Sequence, residues 1–150
     1  MYPDPNVAAL IAQRFVPVRV HVKENAEEFK RLGAMFDSQW TPTTLVIDPP
    51  STERHRIEGF LPKDDFVAQL ELGLAKAAFG RGAFGEAQRA FDEVLAHHPH
   101  TDAAPEAQYW TGVSRYKATG DASALAETEK RFRERYADST WAKKASVWRK

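Results

Sequence analysis

The sequence predicts an α/β region over roughly the first 60 residues, followed by an all-α region of helical hairpins. Three observations carry this. Up to Phe60, stretches of strand character alternate with stretches of helical spacing. From about residue 62 onward, apolar residues recur only at spacings of three and four. The last part of the chain also repeats itself: laying His97–Thr101 over Arg135–Ser139 aligns Ala107 with Ala145 and Trp110 with Trp148, an offset of 38 residues. Fixed periods of this size belong to stacked helical hairpins, each too small to bury its apolar face alone.

Composition narrows the function classes. The chain has 150 residues, with 21 Lys and Arg against 21 Asp and Glu, so its formal charge is zero. A neutral chain has no overall field to gather nucleic acid or an anionic membrane, and neither is expected as a partner. Hydrophobic residues make up 43% and charged residues 28%, the balance of a folded domain rather than a disordered one. No apolar run approaches the roughly 18 residues of a membrane span. Met1 leads directly into Tyr2-Pro3-Asp4-Pro5, so no signal peptide is expected, and the expected location is cytoplasmic. There is no cysteine, so disulfides, thiolate metal sites, cysteine nucleophiles and dithiol redox chemistry are absent from these residues. No catalytic residue and no cofactor is expected in them.

The elements of the first region follow in order. Asp4 is a good N-cap and Pro5 a good first helical residue, with Val7, Leu10 and Ile11 behind them at helical spacing. From Phe15 the period changes. Val16, Val18, Val20 and Val22 point one way and Pro17, Arg19 and His21 the other, which predicts a strand over 15–22. Pro17 lacks a donor, so at least one side of that strand is an edge or a bulge. Asn25 and Glu28 are spaced as in a capping box, and Phe29, Leu32, Met35 and Phe36 form the apolar stripe of a second helix. Leu45-Val46-Ile47 reads as a strand buried on both faces. Pro49-Pro50-Ser51-Thr52 is a turn, and Arg54 to Phe60 is a weaker strand centred on Ile57.

The second region is a string of helices. One covers roughly 62–80, punctuated at its end by Gly80 and Gly82. The next runs from Phe84 to about His97. A third starts near Ala104 and breaks at Gly120-Asp121, a fourth carries Leu125, Thr128, Phe132 and Tyr136, and a short fifth carries Trp141, Ala145 and Trp148.

This helical half resembles tetratricopeptide (TPR) repeats. Leu74, Gly82, Phe84, Ala87, Phe91 and Pro99 fall in the order of that motif, and a second unit matches through Gly112, Tyr116, Gly120 and Phe132. The second unit departs in its period and lacks the closing Pro. The first half resembles the C-terminal two-thirds of a thioredoxin fold. The residues carrying this are the helix after Pro5, the strand to Val22, and Trp40-Thr41-Pro42-Thr43 entering Leu45-Val46-Ile47-Asp48. The partner strand to Phe60 and the helix after Pro62 complete it. The two resemblances give a partial thioredoxin-like domain over 1–62, an α/β remnant of about three strands with flanking helices, and a TPR-like region over 63–150.

The thioredoxin resemblance implies that Thr41–Pro42 is cis and that Trp40, Thr41, Pro42 and Thr43 present a backbone edge to bound peptide. It also implies a departure. In that family a central strand and a Cys-x-x-Cys pair precede the helix that here begins at Pro5, and Tyr2-Pro3-Asp4-Pro5-Asn6-Val7 followed by Phe15-Val16-Pro17-Val18 resembles members where it lies just after the cysteines. Either the cysteines lie upstream of Met1, or the chain is shortened and redox-dead. In the family the missing strand lies between 16–22 and 43–48. Its loss leaves backbone groups unpaired, at about 1–3 kcal/mol for each one buried. Either the two flanking strands close directly on each other or a second copy supplies the pairing by strand addition or swapping, and of these a homodimer through unpaired strand edges is expected.

Other constellations read as structural. His97, His98 and His100 suit zinc or copper by chemistry but lie in an inter-hairpin loop, and no metal site is expected there. His21 and His55 are expected on strand surfaces. Lys143, Lys144, Arg149 and Lys150 read as a solvated helix face, and Trp141 and Trp148 as core or as the exposed end of the stack. The leading function is a protein- or peptide-binding module acting through the helical groove with the Pro42 edge contributing. The alternative is a thiol–disulfide oxidoreductase whose active-site segment precedes Met1.

Overall fold

A computed structural model describes residues 4–150, so the Met1–Pro3 part of the motif ending at Val7 lies outside the described residues. The helices are α1 (Pro5–Arg14), α2 (Ala26–Met35), α3 (Lys63–Gly80), α4 (Phe84–His97), α5 (Ala103–Thr119), α6 (Ser123–Glu134) and α7 (Thr140–Ala145), which runs on into a 3-10 turn at Ser146–Trp148. The strands are β1 (Thr43–Asp48) and β2 (Thr52–Glu58), joined by Pro49-Pro50-Ser51 into a two-stranded sheet. So short a connection permits only antiparallel pairing. The chain divides into two compact units, residues 1–44 with 57–63, and residues 45–56 with 64–150.

In the first unit, α1 starts where its cap chemistry dictates. The Asp4 carboxylate accepts from the Asn6 N–H at 2.9 Å and the Val7 N–H at 3.3 Å, and Pro5 fills the first turn. Its other oxygen accepts from Lys63 Nζ at 2.7 Å, and this ammonium, with the two amides, holds the Asp4 carboxyl below its ordinary value. Val7 is the buried residue of α1, and α2 has none.

Three expectations for this unit are corrected. Residues 15–22 form no strand, and Val16 and Val18 are 93% and 81% exposed. Among the described residues the sheet therefore has two strands rather than about three. The alternation of Val16 to Val22 marks a face, but a strand needs a neighbour on its edge, and among the described residues this segment pairs with none. Asn25 and Glu28 do not form a capping box. The Asn25 side chain turns back to accept the His21 N–H at 2.9 Å, while Glu28 pairs with Arg31 one turn on. His21 Nδ1 also accepts from the amides of Lys23 and Glu24, each at 3.2 Å, so it caps a turn rather than lying on a strand.

In the second unit, β1 is buried on one face only. Val46 packs against Gly73 of α3, where an added Cβ would meet the Val46 side chain at 2.8 Å, while Ile47 on the opposite face is 39% exposed. Period-2 alternation places His55 on the same face of β2 as Ile57. His55 is therefore buried and not on the surface as expected. The main core joins three helices: Ala68, Leu72, Ala75 and Ala78 of α3, Ala87, Phe91 and Val94 of α4, and Ala103 and Ala107 of α5. α3 is apolar almost all round, as a helix packed on several sides must be. α5 approaches α6 closely at Gly112, where a Cβ would collide with Thr128. Gly120 ends α5 in the left-handed conformation at φ +73°, its N–H donating to the Tyr116 carbonyl.

Candidate functional site

The residues expected to form a peptide edge lie in the first unit, in the turn that enters β1. The Thr41–Pro42 bond is cis. The Pro42 carbonyl accepts from the Gly59 N–H at 2.8 Å, which ties the start of β1 to the end of β2. Gly59 sits at φ +83°, a conformation that favours glycine, and its own Cβ position is open. Thr43 Oγ1 donates to the Trp40 carbonyl at 2.7 Å and closes the turn on itself. Two residues before Pro42, Trp40 is 68% exposed, and directly after Gly59, Phe60 is 75% exposed. The local chemistry is thus a braced, exposed turn flanked in sequence by two large aromatic side chains. Trp40, Thr41 and Pro42 are all exposed, and Thr43 is half-buried. Phe60 belongs to this group by the Pro42–Gly59 bond, a cross-strand contact that one-dimensional spacing does not reveal.

The second unit holds a polar chain that sequence reading missed. His55 Nε2 donates to Gln69 Oε1 at 2.6 Å, Lys76 Nζ donates to His55 Nδ1 at 3.4 Å, and Lys76 Nζ lies 3.0 Å from Glu106 Oε2. Burial pushes the imidazole below its ordinary pKa, and the Lys76 ammonium adds to that. The neutral imidazole bridges an amide and an ammonium, while the buried Glu106 Oε2 meets the Lys76 ammonium as an ion pair without a formed hydrogen bond.

The histidine cluster is not gathered. His98 Nε2 pairs with Glu71 Oε2 at 2.9 Å, and among the described residues no group of His, Asp and Glu is arranged to hold a metal ion. The basic end is less free than expected. Arg149 Nε donates to Glu129 Oε1 at 2.9 Å, Arg133 pairs with the other oxygen of that carboxylate at 3.0 Å, and Lys144 Nζ lies 3.9 Å over the Trp141 ring. Glu129 is 3% exposed, so its two arginines answer its burial. Trp148 stacks on Tyr109 at 4.8 Å and Trp141 leans on the same ring at 5.2 Å. The 38-residue offset thus pairs Ala107 and Ala145, both fully buried, on helices that meet through these rings.

Two open grooves accompany the helices. One of about 180 Å³ lies among Asp92, Thr111, Gly112, Arg115, Glu127 and Thr128. The other, of about 270 Å³, lies beside Glu129, Phe132, Arg133 and Arg149. In the first, Thr111 donates to Asp92 at 2.7 Å and Arg115 pairs with Glu127. The charges named in both are thus already engaged.

Residues 1–74 match the family model described as a thioredoxin-like domain, and the chain carries a thioredoxin-like domain over that span. The match runs from α1 into α3, so α3 is shared: it ends the thioredoxin-like match and contributes to the core of the helical unit. No curated protein and no solved structure matches the chain. Among the described residues no helix is long and apolar enough to cross a membrane.

Proposed function

We propose that this chain is a protein- or peptide-binding module: a thioredoxin-like domain over 1–62 continued by TPR-like helical hairpins over 63–150. The reading has it cytoplasmic, homodimeric, and without redox chemistry in these residues. The observation that carries it is the exposed pair Trp40 and Phe60 beside the Pro42–Gly59 bond. Large aromatics beside exposed backbone offer a partner apolar area and amide groups together. The helical grooves support the reading less, because the charges named in them are paired internally. The TPR-like reading draws support from Ala87 and Phe91, fully buried at the motif's small and aromatic positions. These residues hold no cysteine, so a thiol–disulfide role would need thiols from outside them.

The test is to pan a displayed library of random heptapeptides on the wild-type protein and on a Trp40→Ala, Phe60→Ala double variant. Peptides enriched on the wild type should bind it in fluorescence anisotropy and lose at least tenfold in affinity on the variant. Equal enrichment on both proteins would remove the turn from the reading.

A further inference from the structure

The groove beside Glu129 holds more positive charge than the burial of that carboxylate requires. Three parts of the chain converge on it: Arg133 comes from α6, Lys143 from α7, and Arg149 from the residues after the 3-10 turn. Glu129 is the one acid among the residues that line it. A buried carboxylate needs a cation, and a single guanidinium supplies that charge. Here two engage it, Arg149 through Nε on Oε1 and Arg133 through Nε on Oε2. Among the described residues, no hydrogen bond or ion pair reaches Lys143 Nζ. Three cations against one carboxylate leave the lining with a net charge of +2. Each guanidinium meets Glu129 through Nε, which leaves its Nη groups to donate elsewhere. Both arginine side chains are more than half exposed, so those donors are within reach of solvent.

We infer that this groove binds a phosphate monoester, its phosphate held by Arg133, Lys143 and Arg149 and its organic part lying along Phe132, Ala137 and Ala142. The inference is independent of the peptide-binding reading above. Charge selects the ligand: a phosphate monoester carries about −1.5 to −2 near neutral pH, which answers the +2 of the lining, whereas a carboxylate or sulfate ester leaves one cation unanswered. Geometry agrees, because a phosphate offers three acceptor oxygens and planar guanidinium forks match them. Glu129 is the positioning residue. By holding both arginines at Nε it fixes them before the ligand arrives, which lowers the entropy lost on binding. Phe132, Ala137 and Ala142 add an apolar wall, and the volume of about 270 Å³ has room for the phosphate and a small organic group.

The test is calorimetric titration of the full chain with phenyl phosphate at pH 7.5 and low salt, which should give saturable heat at one site. Lys143→Gln should weaken that binding by about fivefold or more. Its ammonium has no partner among the described residues, so circular dichroism should show the variant folded. Lys130→Gln removes the same charge from α6 outside the groove and should leave the affinity unchanged. Phenyl sulfate, of the same shape with one charge fewer, should bind more weakly, and so should inorganic phosphate, which lacks the ring. No saturable heat with phenyl phosphate up to about 10 mM would overturn the site. Equal losses in Lys130→Gln and Lys143→Gln would overturn it too, since a diffuse field would then account for the binding. Phenyl sulfate binding as tightly as phenyl phosphate would overturn the choice of a phosphate. Inorganic phosphate binding as tightly would overturn the role of the apolar wall and leave the phosphate site standing.

Discussion

The two compact units use the same kinds of signal and end in opposite states. In the helical unit, amphipathic stripes meet other stripes: Phe91, Val94 and Leu72 are fully buried, and Gly73 and Gly112 let neighbouring elements approach to contact distance. In the first unit, α2 is amphipathic yet buries no residue, and Val16, Val18, Met35, Trp40 and Phe60 are all more than half exposed. An apolar pattern specifies a face; whether that face is buried depends on a second element to cover it. The helical unit contains its own coverings, and the first does not.

That contrast can be broken or sharpened by substitution. The largest effect belongs to the three-helix core. Phe91→Ala should destabilise by about 3–5 kcal/mol, because its fully buried ring leaves a cavity between α3, α4 and α5. Chemical denaturation checks this, and a loss below about 1 kcal/mol would mean the helical unit is no better packed than the first. Next is Gly112→Ala. The added methyl collides with the Thr128 side chain, and prying α5 from α6 should cost about 1–3 kcal/mol. Pairing it with Thr128→Ala should recover part of that loss, whereas a strictly additive double variant would place the close approach elsewhere.

A smaller, pH-dependent effect belongs to His55. Its folded-state pKa is lowered, so the unfolded chain binds the proton more readily. The stability this contributes is fully present above the ordinary imidazole value of about 6.5 and is lost as pH falls through the lower folded-state value. The groups facing it are Gln69 and Lys76 of α3, Glu106 of α5 and Glu53 of β2. In His55→Gln the denaturation midpoint should lose this part of its slope below neutrality, and an unchanged slope would assign it to other groups. The smallest effects belong to the first unit. Phe60→Ala and Val18→Ser should each change monomer stability by no more than about 0.5 kcal/mol, in contrast to Phe91→Ala. A large loss at either would show that these exposed side chains already have a covering.

The sequence was legible where one residue or one period decides the outcome. Asp4 and Pro5 fixed the start of α1, and the spacings of three and four fixed α3 to α6 to within a residue or two. It was less legible where a residue has two available roles. Asn25 can cap the helix ahead or bond back to His21, and the backward bond won. His55 reads as a surface histidine until β2 is turned so that Ile57 faces inward, which carries the imidazole inward with it. Of the candidate site, Trp40 to Thr43 were found by resemblance, while Phe60 came with them only through the Pro42–Gly59 hydrogen bond.

What the residues decided alone are local matters: helix starts and stops, the alternation of valines, the lack of cysteine among these residues and the balance of charge. These depend on neighbours within a few positions or on simple counts. Tertiary structure decided which faces are covered, which polar groups find partners, and that α3 contributes to the helical core while ending the thioredoxin-like match. Burial and pairing are relations between segments far apart in the chain, and local spacing carries no information about distance in space.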